Sequence, residues 1–224
     1  MADIDILQYA LTLEHLEAEM YRQAIASGKL TGKGLEYAQM FGAEEAAHVD
    51  ALTATIRSMG GAPVQKRQSY NFPNFASQDQ NTVLGFISTI EDTGVGAYLG
   101  QVAAIQSGQI LGAAAAIYAI EALHTAAIRT LLGRDANPNG AVEKPLTMQQ
   151  VLAAAGPLLG PEAGAPAAAP PAATAPTQLP RTGGVAVVPL LAAGAGLAAL
   201  GKVMRDRGTR ESQLSRVGAP TRES

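Results

Sequence analysis

Glutamate and histidine recur at matching places inside otherwise apolar stripes, and this repeat restricts the chain more than any other feature. Leu7, Leu11, Glu14, Ala18, Tyr21 and Ile25 step at three and four residues, the period of one helix face. A second stripe runs Ala38, Phe41, Glu45, His48, Leu52, Ile56, Met59, and a third runs Leu84, Ile87, Glu91, Val95, Tyr98, Val102, Ile105. The fourth is Leu111, Ala114, Tyr118, Glu121, His124, Ile128, Leu131. Glu14 stands seven residues before Tyr21 as Glu91 stands before Tyr98, and Glu45-x-x-His48 has the same form as Glu121-x-x-His124. From Glu14 to Glu45 is 31 positions and from Glu91 to Glu121 is 30. Two helix hairpins of one design follow. Alternation of period two is not sustained anywhere, so the expected fold class is all-α.

Proline placement agrees. No proline precedes Pro63 and none lies between Pro73 and Pro138, and proline breaks helix interiors. Ser27 to Gly34 reads as a turn, and Gly60-Gly61, Gly108 and Gly133 end the second, third and fourth stripes. The stretch from Gly60 to Asn81 suits a long crossover on the outside of an up-down four-helix bundle. Leu146 to Ala155 reads as a short fifth helix. With 224 residues, 47% of them apolar, the chain can build one buried domain of about 130 to 160 residues plus appendages. That domain is expected over residues 1–156, followed by a Pro/Ala-rich linker over 157–181, an apolar segment over 182–201 and a basic polar tail over 202–224.

An unpaired buried carboxylate is costly, so four in one core need a cation or shared protons. The i, i+3 spacing puts each Glu and His on one helix face. Two such pairs plus two lone glutamates direct six ligands, Glu14, Glu45, His48, Glu91, Glu121 and His124, at the bundle axis. Their four carboxylates offset the charge of two divalent ions. The chain has no cysteine, which removes thiolate and iron-sulfur sites, and oxygen and imidazole donors suit Fe or Mn. Glu17 and Glu44 are alternatives to their neighbours Glu14 and Glu45. His15, adjacent to Glu14 but turned about 100° away on a helix, reads as a boundary residue. A formal net charge of −3 supplies no basic field, so nucleic acid is not an expected partner.

With these residues in view, the strings LTLEHLEAEMYRQAI, FGAEEAAHVDAL and IEDTGVGAYLG resemble the ferritin-like superfamily of di-iron and di-manganese carboxylate proteins, in particular the desiccation-related type, over about residues 3–156. The superfamily's ligand scheme is one Glu from each of two helices and Glu-x-x-His from the other two. The resemblance implies a ferritin-like bundle with two Fe or Mn ions, Glu45 and Glu121 as bridging carboxylates, and Tyr21 and Tyr98 as residues that orient ligands or pass electrons. It implies an oxidoreductase reacting with oxygen or peroxide, as a ferroxidase, peroxidase or catalase-like stress protector, and admits a homo-oligomer. A second class is a non-catalytic stress or structural protein with a structural or vestigial metal site. The chain lacks the cysteine-rich domain of rubrerythrins, and Ala46 stands where bacterioferritins carry a haem-binding Met.

Pro161 to Gln178 is dominated by Pro and Ala, a spacer composition. Thr182 to Gly201 is uncharged and is followed by Lys202, Arg205, Arg207 and Arg210. That length matches one transmembrane helix. Leu179-Pro-Arg-Thr-Gly183 ahead of it resembles a sortase-type cell-wall sorting signal. The expected address is the cell surface or wall, anchored through a membrane segment with the basic tail inside. Met1 to Asp5 has two Asp and no basic residue, which is not a secretion-signal pattern. Either further residues precede Met1, or the bundle is cytoplasmic and tail-anchored.

Overall fold

The computed structural model describes residues 1–162. Among them are five α-helices, α1 (Asp3–Ala26), α2 (Gly32–Ser58), α3 (Gln80–Gln101), α4 (Gly108–Leu131) and α5 (Met148–Ala155), and no β-strand. α1 packs chiefly on α2 and α3 on α4, with α1 also against α3 and α2 against α4. The four expected stripes are therefore four helices in two hairpins. The linker beyond residue 162, the apolar segment 182–201 and the tail 202–224 lie outside the described residues.

Local chemistry sets the helix ends. Asp79 and Ser107 cap α3 and α4 by accepting the backbone N–H groups of Thr82 at 2.8 Å and Ile110 at 3.4 Å, which satisfies donors that have no intrahelical partner. Gly60 and Gly133 follow the last turns of α2 and α4 at φ of 80° and 69°, a left-handed conformation that glycine adopts without a Cβ clash. Two boundaries differ from the sequence reading. α2 already begins at Gly32, inside the expected turn, because the Thr31 N–H and hydroxyl both donate to Gln80 Oε1, at 2.7 and 3.0 Å. α3 stops at Gln101; Val102 falls in a 3₁₀ turn and Ile105 in extended backbone. Asp3 holds this connection by accepting the N–H groups of Gln106 and Ser107, both at 2.8 Å.

The crossover between the hairpins is tied to α1. Gln8 donates to Ala62 O and accepts from Val64 N, both at 2.7 Å, and Lys66 pairs with Glu19 at 2.5 Å. Beyond α5, residues 158–162 run beside 67–71: Tyr70 and Leu159 form an antiparallel bridge, and Arg67 pairs with Glu162 at 3.2 Å. Packing thus extends slightly past the expected end of the bundle at 156.

The apolar interior falls into two clusters, one including Leu16, Met20, Tyr21, Leu84, Ile87 and Ile128, the other including Leu7, Leu11, Leu52, Ile56 and Tyr98. α4 is long and apolar enough, by length and composition, to cross a membrane. Most of that helix is not buried in the bundle, but its inward face carries Glu121 and His124 into the interior.

Leu146 closes over α3, its N–H donating to Gly96 O at 2.9 Å, and a Cβ at Gly100 would collide with the Leu146 carbonyl. Gly100→Ala must displace backbone and should destabilise the protein by about 1–3 kcal/mol. Gly112→Ala in α4, where nothing lies within 4 Å of the added methyl, should stabilise it by up to about 1 kcal/mol. Urea unfolding of both variants measures the contrast; equal effects would contradict the packing.

Candidate metal centre

Each of the four long helices sends carboxylate or imidazole groups to one buried point. Glu14, Glu45, Glu91 and Glu121 have no exposed surface, and His124 and His48 are 1% and 9% exposed. Their atoms form two overlapping donor groups, Glu14, Glu45, His48 and Glu121 in one and Glu45, Glu91, Glu121 and His124 in the other, with the donors of each within 4.8 Å of one another. Glu45 and Glu121 belong to both.

The imidazoles sit between the acids. His48 Nδ1 is 3.2 Å from oxygens of Glu14, Glu45 and Glu121, and His124 Nδ1 is 2.9 Å from Glu45 and 3.4 Å from Glu91. The other nitrogen of His124, Nε2, is 2.7 Å from half-buried Glu44. In the tautomer with Nε2–H donating to Glu44, the Nδ1 lone pair points to the centre, the arrangement in which a carboxylate orients a ligating histidine. Phe41 stacks on the His124 ring, centroids 4.1 Å apart. Across the bundle, the Tyr21 hydroxyl donates to Glu91 and the Tyr98 hydroxyl to Glu14. The two tyrosines thus cross-link α1 and α3 reciprocally.

The donor set fits metal ions better than it fits itself. Glu14 Oε2, Glu45 Oε1, Glu91 Oε2, both oxygens of Glu121 and His124 Nδ1 are buried without a hydrogen-bond partner; their contacts to imidazole are close but misaligned. Buried polar atoms are rarely left so. No lysine or arginine among the described residues pairs with these carboxylates. Two cations between the shared glutamates would satisfy the orphaned atoms together.

Without cations, protons compensate. Burial raises Glu14 to about 8, against the opposing pull of the His48 imidazole beside it. Burial and the neighbouring carboxylates push Glu17 and Glu121 well above the ordinary range, and burial raises Glu91. For His48, burial acts downward but Glu121, Glu14 and Glu45 outweigh it and lift it to about 12. Burial pushes Glu45 up, yet contacts with His124 and His48 hold it at about 2. Burial and the Glu91 and Glu14 carboxylates raise the Tyr21 and Tyr98 phenols well above their usual value.

A family profile for the ferritin-like domain matches residues 2–134. The chain belongs to the ferritin-like domain family. Comparison with curated proteins finds no match. The matched residues include all four long helices of this ferritin-like chain and every candidate ligand. The structure brings together all six side chains singled out in the sequence, and Tyr21 and Tyr98 beside them. His15 lies apart, half-buried, its Nε2 at 3.3 Å from Val64 O. Glu44 and Glu17 do not replace their neighbours. Glu44 supports His124, and Glu17, 2% exposed, is an additional buried acid whose signal was its i, i+3 spacing from Glu14.

Metal-free protein should lose stability as pH rises from 5 to 8. Glu14 binds its proton more tightly folded than unfolded, so its contribution is complete below about 4.5 and is lost by about 8. His48 contributes below its unfolded value of 6.5 and loses that contribution as pH climbs towards about 12. Both push one way in this window. Added Mn(II) displaces the protons and should remove the decline. Thermal melting across the window measures this, and a flat or rising profile for metal-free protein would contradict it.

Proposed function

We propose that this ferritin-like protein is a di-metal carboxylate oxidoreductase acting on oxygen or peroxide. Glu14, Glu45, His48, Glu91, Glu121 and His124 would hold two Fe or Mn ions, with Glu45 and Glu121 the residues common to both donor groups. The observation that carries the reading is the pair of overlapping donor groups with two shared glutamates. When bound, two redox-active ions with few protein ligands each supply electron transfer to oxygen or peroxide at their open positions. The chain's own residues fix the ligands. Tyr21 and Tyr98 donate their hydroxyls to one oxygen of Glu91 and Glu14; this orients the two carboxylates and would let each phenol pass electrons through the carboxylate it holds. Glu44 keeps the His124 lone pair turned inward. The apolar clusters on either side exclude bulk water.

The setting proposed is stress protection on a tether. The support is the sequence order of Pro/Ala spacer, Leu179-Pro-Arg-Thr-Gly183, uncharged Thr182–Gly201 and basic tail, which reads as a membrane or wall anchor with the bundle at the cell surface. Such an anchor is hard to combine with a closed storage shell, so turnover of an oxidant is favoured over bulk iron storage.

Purified full-length protein loaded anaerobically with Fe(II) or Mn(II) should hold two ions per chain and consume oxygen or hydrogen peroxide. His48→Ala and His124→Ala should each remove binding of at least one ion and lower turnover by about 100-fold or more, since each takes away the only nitrogen donor of its ion. His15→Ala should match wild type. A folded wild-type chain that binds no ion sinks the proposal; two bound ions with no turnover favour the non-catalytic metal protein.

A further inference from the structure

The two hairpins are not identical at the centre, and the difference concerns Glu17. It lies one turn along α1 from Glu14, is buried, and has no hydrogen bond or ion pair among the described residues. Glu19, two positions on, shows what a paired acid looks like in this helix: Arg22 and Lys66 each approach it to 2.5 Å. Glu17 has no such cation, and the groups acting on it electrostatically are the acids Glu121, Glu45, Glu14 and Glu91.

The position matching Glu17 in the second hairpin, three residues after Glu91, is Gly94. A Cβ at Gly94 would lie 2.7 Å from Glu17 Oε1 and 3.2 Å from Glu121 Oε2. The Glu17 carboxylate therefore occupies the room that a side chain on α3 would take, and its Oε1 and the unpartnered Oε2 of Glu121 border the same gap, with Glu17 standing just outside the two donor groups. Any residue larger than glycine at 94 would displace it. An unpartnered buried acid, set beside a shared ligand in a gap made by a glycine, is what an additional donor requires.

We infer that Glu17 is a seventh ligand of the centre, its carboxylate housed in the gap left by Gly94 and bound to an ion that Glu121 also holds. This rests on the two-metal reading and adds to it. Four carboxylates balance two divalent ions; a fifth leaves the centre with a surplus negative charge, which favours the more highly charged, oxidised metal pair.

Titration of full-length wild type, Glu17→Gln and Gly94→Ala with Co(II) tests the assignment, because the visible spectrum of Co(II) reports its coordination number. Wild type should bind two ions. Glu17→Gln should still bind two through the remaining six ligands, but with one binding step weakened about tenfold or more and stronger visible absorption from a lower coordination number. Gly94→Ala, which leaves every ligand in the sequence, should reproduce both changes. Metal-free Glu17→Gln should melt no lower than wild type, since the neutral amide replaces an acid that burial and the neighbouring carboxylates already keep protonated. Unchanged affinities and spectra in both variants would overturn the seventh ligand and leave the two-metal reading standing. A wild-type chain that binds no Co(II) would overturn both.

Discussion

Carboxylates repel one another and forfeit strong hydration when buried, and this protein places Glu14, Glu17, Glu45, Glu91 and Glu121 in a single helical core, none more than 2% exposed. Taking even one such charge out of water costs several kcal/mol after relaxation. The fold is arranged around that cost. Two imidazoles stand between the acids, two tyrosine hydroxyls are given to them, and two apolar clusters complete the interior. What these neighbours leave unsatisfied, notably both oxygens of Glu121, is the bonding capacity that the two donor groups could offer to metal ions.

The bundle delivers these groups by repetition. α1 and α3 each supply Glu and, two turns on, Tyr; α2 and α4 each supply Glu-x-x-His. The exchange is reciprocal, with the tyrosine of one hairpin bonded to the lone glutamate of the other, so neither hairpin completes the centre alone. Departures from the repeat are equally informative. Glu44 supports His124, whereas its counterpart before Glu121 is Ile120. Glu17 faces inward, whereas its counterpart is Gly94. The two donor groups are therefore chemically inequivalent.

Much of this was legible in the sequence because helix period and ligand spacing are both local. A carboxylate at a stripe position, with histidine three residues later, shares one face whatever the tertiary arrangement, so Glu14, Glu45, His48, Glu91, Glu121 and His124 could be found one helix at a time. Glu17 was visible only as a possible substitute for Glu14, because its meaning depends on Gly94 in another helix. Glu44 was likewise seen beside Glu45 and not beside His124, its partner across the bundle. The start of α2 was misplaced for a similar reason: Gln80, far along the chain, supplies the acceptor at Thr31. Ile105 kept the apolar period but left the helix, since it serves the second cluster from extended backbone.

The central claim is that two ions share Glu45 and Glu121 inside the bundle. Anomalous X-ray diffraction from crystals of the Mn- or Fe-loaded protein, collected at the absorption edge of the metal, locates the ions without reference to any assumed ligand. The account predicts two peaks about 3.5–4 Å apart, both beside Glu45 and Glu121, one next to His48 and the other next to His124. A single peak, or peaks only at surface carboxylates, would contradict it.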